Sequence, residues 1–200
     1  MIKNIVFDLG NVLISFNPNE YLDTFDFDNN IKEAVFKGIF KSKYWPELDR
    51  GTVTEEEALE CFCKDAPEVA EEIRAVMASW KDILLPIPET IGILRELKEK
   101  GYKLFALSNY HRAAFEKTSS ENEFFQLFDG KVISYEIQTI KPEKEIYEHL
   151  LKIYNLKAEE TLFIDDMVEN IEGAKRLGIN THIFKGPEGL RAYLRELKIL

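Results

Sequence analysis

Residues 3–16 read KNIVFDLGNVLISF. The run Ile5-Val6-Phe7 is apolar on consecutive positions, so it suits a strand covered on both faces, and it drives directly into the carboxylate of Asp8. A glycine, Gly10, follows two residues later. An interior strand that ends on an acid raises the question of what the acid meets there.

The rest of the chain answers in two textures. From Gly92 onward, helical periodicity alternates with short apolar runs. PETIGILRELKEKG opens on a proline, places Ile91, Leu94 and Leu97 on one face and stops at Gly101. YKLFALSN, KVISYE, TLFIDD and NTHIF read as further strand-bearing stretches, separated by helices through EKEIYEHLLKIY and VENIEGAKRLG and followed by one through EGLRAYLREL. Such alternation specifies an α/β fold, a doubly wound parallel sheet with helices on both faces. Residues 17 to about 85 carry helical patterns only, in NEYLDTF, IKEAVFKGIF, TEEEALECFC and EVAEEIRAVMASW. TEEE has the form of an N-cap followed by acids in a first turn. The expected organisation is a sheet unit of residues 1–15 and 86–200, interrupted at 16–85 by an all-helical insert.

Bulk properties exclude several function classes. The chain has 200 residues, 45% of them hydrophobic and 31% charged, which describes a folded domain and not a disordered one. Its net charge is −10 and Lys/Arg residues form no cluster, so nucleic acid and anionic membrane surfaces are excluded as partners. No run approaches the ~20 apolar residues of a membrane-spanning helix. The N-terminus runs straight into a strand without a secretory signal, giving an expectation of cytoplasmic location. Cys61 and Cys63 stand at i and i+2 of a helix, point apart, and read as reduced structural thiols.

In an open α/β sheet, ligands bind beyond the carboxyl ends of the strands. Asp8 ends the first strand, Ser108-Asn109 ends KLFAL, Asp165-Asp166 ends TLFI, and Lys141 precedes Pro142 where a helix begins. Each alone has an ordinary explanation as a turn former, helix cap or surface lysine. Capping does not explain three carboxylates, a hydroxyl and an ammonium on one rim. Crowded carboxylates repel unless a cation lies among them, and an oxygen-rich site with room for water and phosphate suits Mg2+. The hydroxyl, backbone N–H groups and ammonium are donors suited to phosphoryl oxygens.

FDLGNV, ALSN, IKPEKEIY and FIDDMVENIEGAKRLGI, in that order, resemble the four motifs of the haloacid dehalogenase superfamily. The resemblance covers the whole sheet unit and is closest to small bacterial sugar-phosphate phosphatases and the phosphatase domain of epoxide hydrolases. It implies a Rossmann-like core, with the insert as a helical cap subdomain. It also implies a phosphatase in which Asp8 is the nucleophile and forms an aspartyl-phosphate. Asp166 would bind Mg2+ directly, with Asp165 as a ligand or just behind it, and Asn170 falls where relatives carry a further acid. Asp8 and the Gly10 carbonyl would complete the protein's metal ligands. Ser108 and Asn109, with the backbone at Leu9 and Gly10, would hold the phosphoryl group, and Lys141 would neutralise it.

Gly10 departs from the commonest pattern of the superfamily, which has there a second Asp that protonates the leaving group. General acid–base catalysis is typically worth ~10²–10⁴-fold, so the proton donor is left unassigned and anomeric sugar 1-phosphates, with good leaving groups, are the favoured substrates. His111, just beyond Ser108-Asn109, is a candidate donor, set against an exposed position in a first helical turn; His149 and His182 read as structural. Tyr44-Trp45-Pro46 and Arg50-Gly51 read either as cap residues facing the site or as packing residues, and Trp80 and Phe124-Phe125 as core. The expected partner is a small phosphorylated molecule, and the chain is expected to be a monomer or weak dimer. Two other functions stay open: a metal-free dehalogenase-type hydrolase, against which the paired Asp165-Asp166 count, and a silent Mg2+ or phosphate-binding regulator.

Overall fold

The computed structural model describes all 200 residues. Strand β1 (Asn4–Phe7) leads into five helices: α1 (Pro18–Leu22), α2 (Asn29–Ile39), α3 (Trp45–Arg50), α4 (Glu55–Asp65) and α5 (Ala70–Ser79). The chain then runs through α6 (Pro88–Glu99), β2 (Lys103–Ser108), α7 (Arg112–Glu121), β3 (Gly130–Ile133), α8 (Ser134–Ile137) and α9 (Lys144–Ile153). It ends with β4 (Thr161–Asp165), α10 (Val168–Lys175), β5 (Asn180–Ile183) and α11 (Pro187–Glu196). The five strands form one parallel sheet in the order β3-β2-β1-β4-β5.

Alternation along the strands explains why they read as continuous apolar runs. Val6, Phe105, Leu107 and Phe163 face one layer, built with Ile146, Tyr147 and Ile171 of α9 and α10. Ile5, Phe7, Ala106 and Ile164 face the other, whose apolar cluster extends into the inserted helices through residues such as Val35, Phe62 and Trp80. Both faces of each central strand are therefore covered, as a parallel sheet requires. No helix is long and apolar enough to cross a membrane.

Local signals account for the helix boundaries. Thr54 caps α4 through a reciprocal pair of bonds with Glu57, the capping box foreshadowed by TEEE. Two stretches differ from their sequence reading. KVISYE is strand only to Ile133; Ser134 opens α8, because its hydroxyl accepts from Tyr110 N–H (2.9 Å) and donates to the Asp49 carbonyl instead of leaving its backbone in the ladder. Helix α3, with Pro46 in its first turn, is too short for periodicity to reveal.

The two chain crossings into the helical insert lie side by side. Ser15 N–H donates to the Leu85 carbonyl (2.7 Å) and Ile87 N–H to the Leu13 carbonyl (2.8 Å), with an antiparallel bridge between Ile14 and Pro86. Further contacts join insert to sheet unit at the end of α3. Arg50, at the end of α3, forms a forked pair with Glu143 (2.9 and 2.6 Å) and donates to the Gln138 carbonyl (3.3 Å). Gly51 then turns with φ +75°, a conformation that favours glycine, and a Cβ there would lie 2.9 Å from Tyr135.

Candidate active site

The sheet order puts β1 between β2 and β4, with Phe7 level with Ala106 on one side and Ile164 on the other. The residues that follow these positions, Asp8, Ser108 and Asp165, therefore emerge together at one rim. Asp8 is 6% exposed, Ser108 1%, Lys141 3% and Asp165 fully buried, so these polar groups have mainly one another as solvent.

One oxygen of Asp8 is saturated. Its Oδ1 accepts from Leu9 N–H (2.7 Å) and the Ser108 hydroxyl (2.7 Å) and pairs with Lys141 Nζ at 2.8 Å. Oδ2 accepts no hydrogen bond within the protein and is left for a ligand. Burial, opposed by Lys141 and reinforced by the Asp165 charge, pushes the Asp8 carboxyl up to about 7. Lys141 also pairs with Asp165 Oδ2 (2.6 Å); although burial pulls its ammonium down, the two carboxylates hold it above the ordinary lysine range.

Asp165 and Asp166, adjacent in sequence, have different environments. Asp165 accepts from Lys141, from Met167 N–H (2.8 Å) and from Asn170 Nδ2 (3.0 and 3.1 Å), so it is committed to holding other groups. Asp166 is less enclosed, accepts from Asn11 Nδ2 at 3.4 Å, and is pushed up by burial and by the Asp165 charge. Asn170 thus faces Asp165 and braces it.

The donor set can be tested against a metal. A carboxylate oxygen from each of Asp8, Asp165 and Asp166 lies within 4.8 Å of the others, and the one ammonium present pairs with only two of them, Asp8 and Asp165. A hard divalent cation offsets that surplus of negative charge, and carboxylate oxygens are its preferred ligands, so the residues fit Mg2+. Gly10 sits in the turn beside Asp8, where a Cβ would have nothing within 4 Å.

Asn109 serves the rim in an unforeseen way. Its amide donates to the Lys141 carbonyl (3.0 Å) and accepts from Lys141 N–H (2.7 Å), clamping the lysine backbone from both sides. The side chain is therefore not free for a ligand.

The sequence profile of the haloacid dehalogenase-like hydrolases matches residues 2–178. The chain belongs to this family of hydrolases. It is 29% identical over 177 residues to a sesquiterpene phosphatase of Aspergillus oryzae, covering 88% of this chain and 87% of the relative. It is 28% identical over 215 residues to D-ribitol-5-phosphate phosphatase of Bacteroides thetaiotaomicron, covering 100% and 98%. A crystal structure of a family enzyme from the same bacterium, in complex with magnesium and inorganic phosphate, matches with a TM-score of 0.71 and 27% identity over 92% of this chain and 95% of that one.

In this member of the family, the rim opens into a cavity of about 150 Å³ between sheet unit and insert. Gly10 and Asn109 form its floor, and Phe16, Trp45 and Trp80 its aromatic wall. Trp45 stacks on Phe16 (centroids 5.9 Å apart) and meets Trp80 edge-on (5.2 Å). Trp45 therefore faces the site, whereas Tyr44 packs towards Phe62 in the insert. Trp80 is core, as expected, and lines the cavity as well. His111 is not the exposed residue of a first helical turn: it is 3% exposed and lies against Trp45 and Trp80. Burial, with Lys81 nearby, pulls its imidazole down to about 3, so it is neutral throughout the physiological range.

Sequence reasoning missed Phe16, Leu84 and Asp49 as cavity residues. Phe16 and Leu84 lie at the two crossings into the insert, a position that could have marked them. Asp49 sits one residue before Arg50-Gly51, in a helix the sequence does not announce.

Proposed function

We propose that this hydrolase is a Mg2+-dependent phosphatase of small phosphorylated metabolites that works through an aspartyl-phosphate on Asp8. The observation that carries this reading is the state of Asp8: one oxygen held by three donors, the other open to a ligand, at a rim shared with Lys141, Asp165 and Asp166. The relatives named as phosphatases support it.

The residues divide the work as follows. Oδ2 of Asp8 attacks phosphorus while Leu9 N–H, Ser108 and Lys141 fix the carboxylate's orientation through Oδ1. As Asp8 becomes an acyl phosphate and its carboxylate loses its charge, the Ser108 hydroxyl and Lys141 ammonium can turn to the phosphoryl oxygens. Asn109 holds Lys141 by its backbone, and Asp165 holds it by its charge. Asp166 and the Gly10 carbonyl would bind Mg2+ beside the Asp8 carboxylate, with Asp165 bracing the set from behind. Bound there, Mg2+ offsets carboxylate repulsion and polarises a phosphoryl oxygen. Residues 16–85 act as a cap over the 1–15 and 86–200 core, shielding the acyl phosphate from stray water.

The cavity bears on substrate size. At about 150 Å³ it is smaller than the roughly 300–1,000 Å³ of drug-sized ligand sites, so the group attached to phosphate is compact. A sugar phosphate is the compact substrate class this favours, with Trp45 in the cavity wall offering an aromatic surface to an apolar ring face. Phosphate release from a panel of phosphorylated metabolites, with Mg2+ or with EDTA, tests the reading. Release that EDTA stops is expected; halide release from a haloacid that survives EDTA would replace it with the dehalogenase reading.

A further inference from the structure

Breaking the ester bond of a phosphorylated alcohol leaves an oxygen that needs a proton, and glycine 10 has none to give. The protein groups around the cavity can be taken in turn. The Lys141 ammonium is committed to Asp8 and Asp165. Tyr110 shares a hydrogen bond with Thr118 (3.2 Å), and burial pushes its phenol up to about 12. His111 is neutral, and neither of its buried ring nitrogens has a hydrogen-bond partner in the protein. Lys81, beside it, is paired with Glu55 at 2.8 Å. The remaining titratable side chain is Asp49.

Asp49 comes from the insert, yet core residues fix its place. The Ser134 hydroxyl donates to its carbonyl, Arg50 forks onto Glu143, and Gly51 packs on Tyr135. Three successive residues are thus pinned to the sheet unit at the end of α3. The carboxyl faces the same cavity as Gly10, with Oδ1 3.2 Å from His111 Nε2 but out of line for a bond from the ring N–H. Phe16, Trp45, Trp80 and Leu84 enclose it.

We propose that Asp49 is the acid that protonates the departing oxygen, and the base that then activates water, so that the insert supplies the group missing at position 10. The inference rests on the phosphatase reading above. In the first step, Asp8 Oδ2 bonds to phosphorus and the bond from phosphorus to the substrate oxygen breaks. That oxygen takes the electron pair and the Asp49 proton and leaves as an alcohol. In the second step, water attacks phosphorus and gives its proton to the Asp49 carboxylate, while the bond from phosphorus to Asp8 Oδ2 breaks and phosphate leaves. Both carboxyls return to their starting states.

The electrostatics agree. Burial and the Asp8 charge, opposed by Lys141, push the Asp49 carboxyl up to about 8, so it holds a proton at neutral pH and can give it up. His111 lines the same cavity beside the acid, with Nε2 3.2 Å from Asp49 Oδ1.

The test compares wild type, Asp49→Asn and Asp49→Glu on a primary-alkyl phosphate and on p-nitrophenyl phosphate, whose leaving group needs no proton. Asp49→Asn should lower kcat on the alkyl ester by ~10²–10⁴-fold and formation of the phosphoenzyme from the aryl ester, seen as the burst, by less than ~10-fold. Asp49→Glu should restore part of the alkyl activity. Equal losses on both esters, or none, in a variant that melts like wild type would overturn the proposal. Should Asp49→Asn fail to fold, wild type decides: burst rates within ~10²-fold of each other support a donor, and an aryl ester faster by more than ~10⁴-fold excludes one. A wild type inert on both esters refutes the phosphatase reading, and the role of Asp49 falls with it.

Discussion

Replacing Asp8 with Asn should abolish phosphatase turnover and, in metal-free protein, raise stability. The carboxyl ionises near 3.8 in an unfolded chain and at about 7 in the folded protein, because burial outweighs the help of Lys141. Below pH 4 both states hold the proton and there is no cost. Between pH 4 and 7 the unfolded state has released its proton while the folded state keeps it, so stability falls as pH rises. Above pH 7 the full cost applies, ~4 kcal/mol at about 1.4 kcal/mol for each tenfold change in proton affinity. Asparagine mimics the protonated carboxyl: its carbonyl can still accept from Leu9 N–H, Ser108 and Lys141. The variant should therefore gain about 2–4 kcal/mol at pH 8, a rise in Tm of roughly 5–15 °C for a chain of this size. At pH 5 the gain should shrink below ~2 kcal/mol. Asp49 carries a cost in both proteins, smaller in the variant because the Asp8 charge that helps raise its carboxyl is gone, so its contribution adds to the gain. Thermal melts of both proteins in EDTA at pH 5 and pH 8, repeated with Mg2+, measure the effect. Mg2+ should stabilise wild type more than the variant, because it meets the charge that the variant lacks. An Asp8→Asn variant that melts at or below wild type at pH 8 in EDTA would refute the account of Asp8 as a carboxylate held at electrostatic cost for its chemistry.

The two acids at the end of β4 should separate by phenotype. Asp166→Ala should weaken Mg2+ binding in a calorimetric titration with little change in Tm, whereas Asp165→Ala should cost about 3–5 kcal/mol of stability, since it strips partners from Lys141, Asn170 and the Met167 N–H. The insert should move as a lid about residues 16–18 and 84–88, read as slowed hydrogen exchange in both segments when beryllofluoride is added with Mg2+; unchanged exchange would count against it. Gly51→Ala should cost at least ~1 kcal/mol and loosen α3, because a Cβ at φ +75° meets Tyr135 at 2.9 Å, and a melt with exchange rates for α3 and α8 checks it.

The sequence by itself determined the sheet and the identity of the rim. Strands covered on both faces must be apolar throughout, so Ile5-Val6-Phe7, LFAL and TLFI announce themselves, and a polar residue closing each run marks the end at which a ligand binds. Asp8, Ser108, Asp165 and Asp166 were placed at the rim for that reason, and Lys141 by its position before Pro142 at the start of a helix. Which residues merely support the others was not, because it depends on geometry that no spacing encodes. Asn109 spends its amide on the Lys141 backbone, and Asp165 is saturated where its neighbour Asp166 is open. The insert's contribution was the least legible. Phe16, Asp49 and Trp80 are far apart in the chain and share no periodicity; tertiary packing alone gathers them over Gly10, against His111 of the sheet unit. A parallel sheet fixes its own strand ends through local pattern and register, whereas a cap reaches the site only by docking. Its Asp49 becomes a candidate acid because the fold pins it, largely buried, in the cavity over Gly10 and within the field of Asp8.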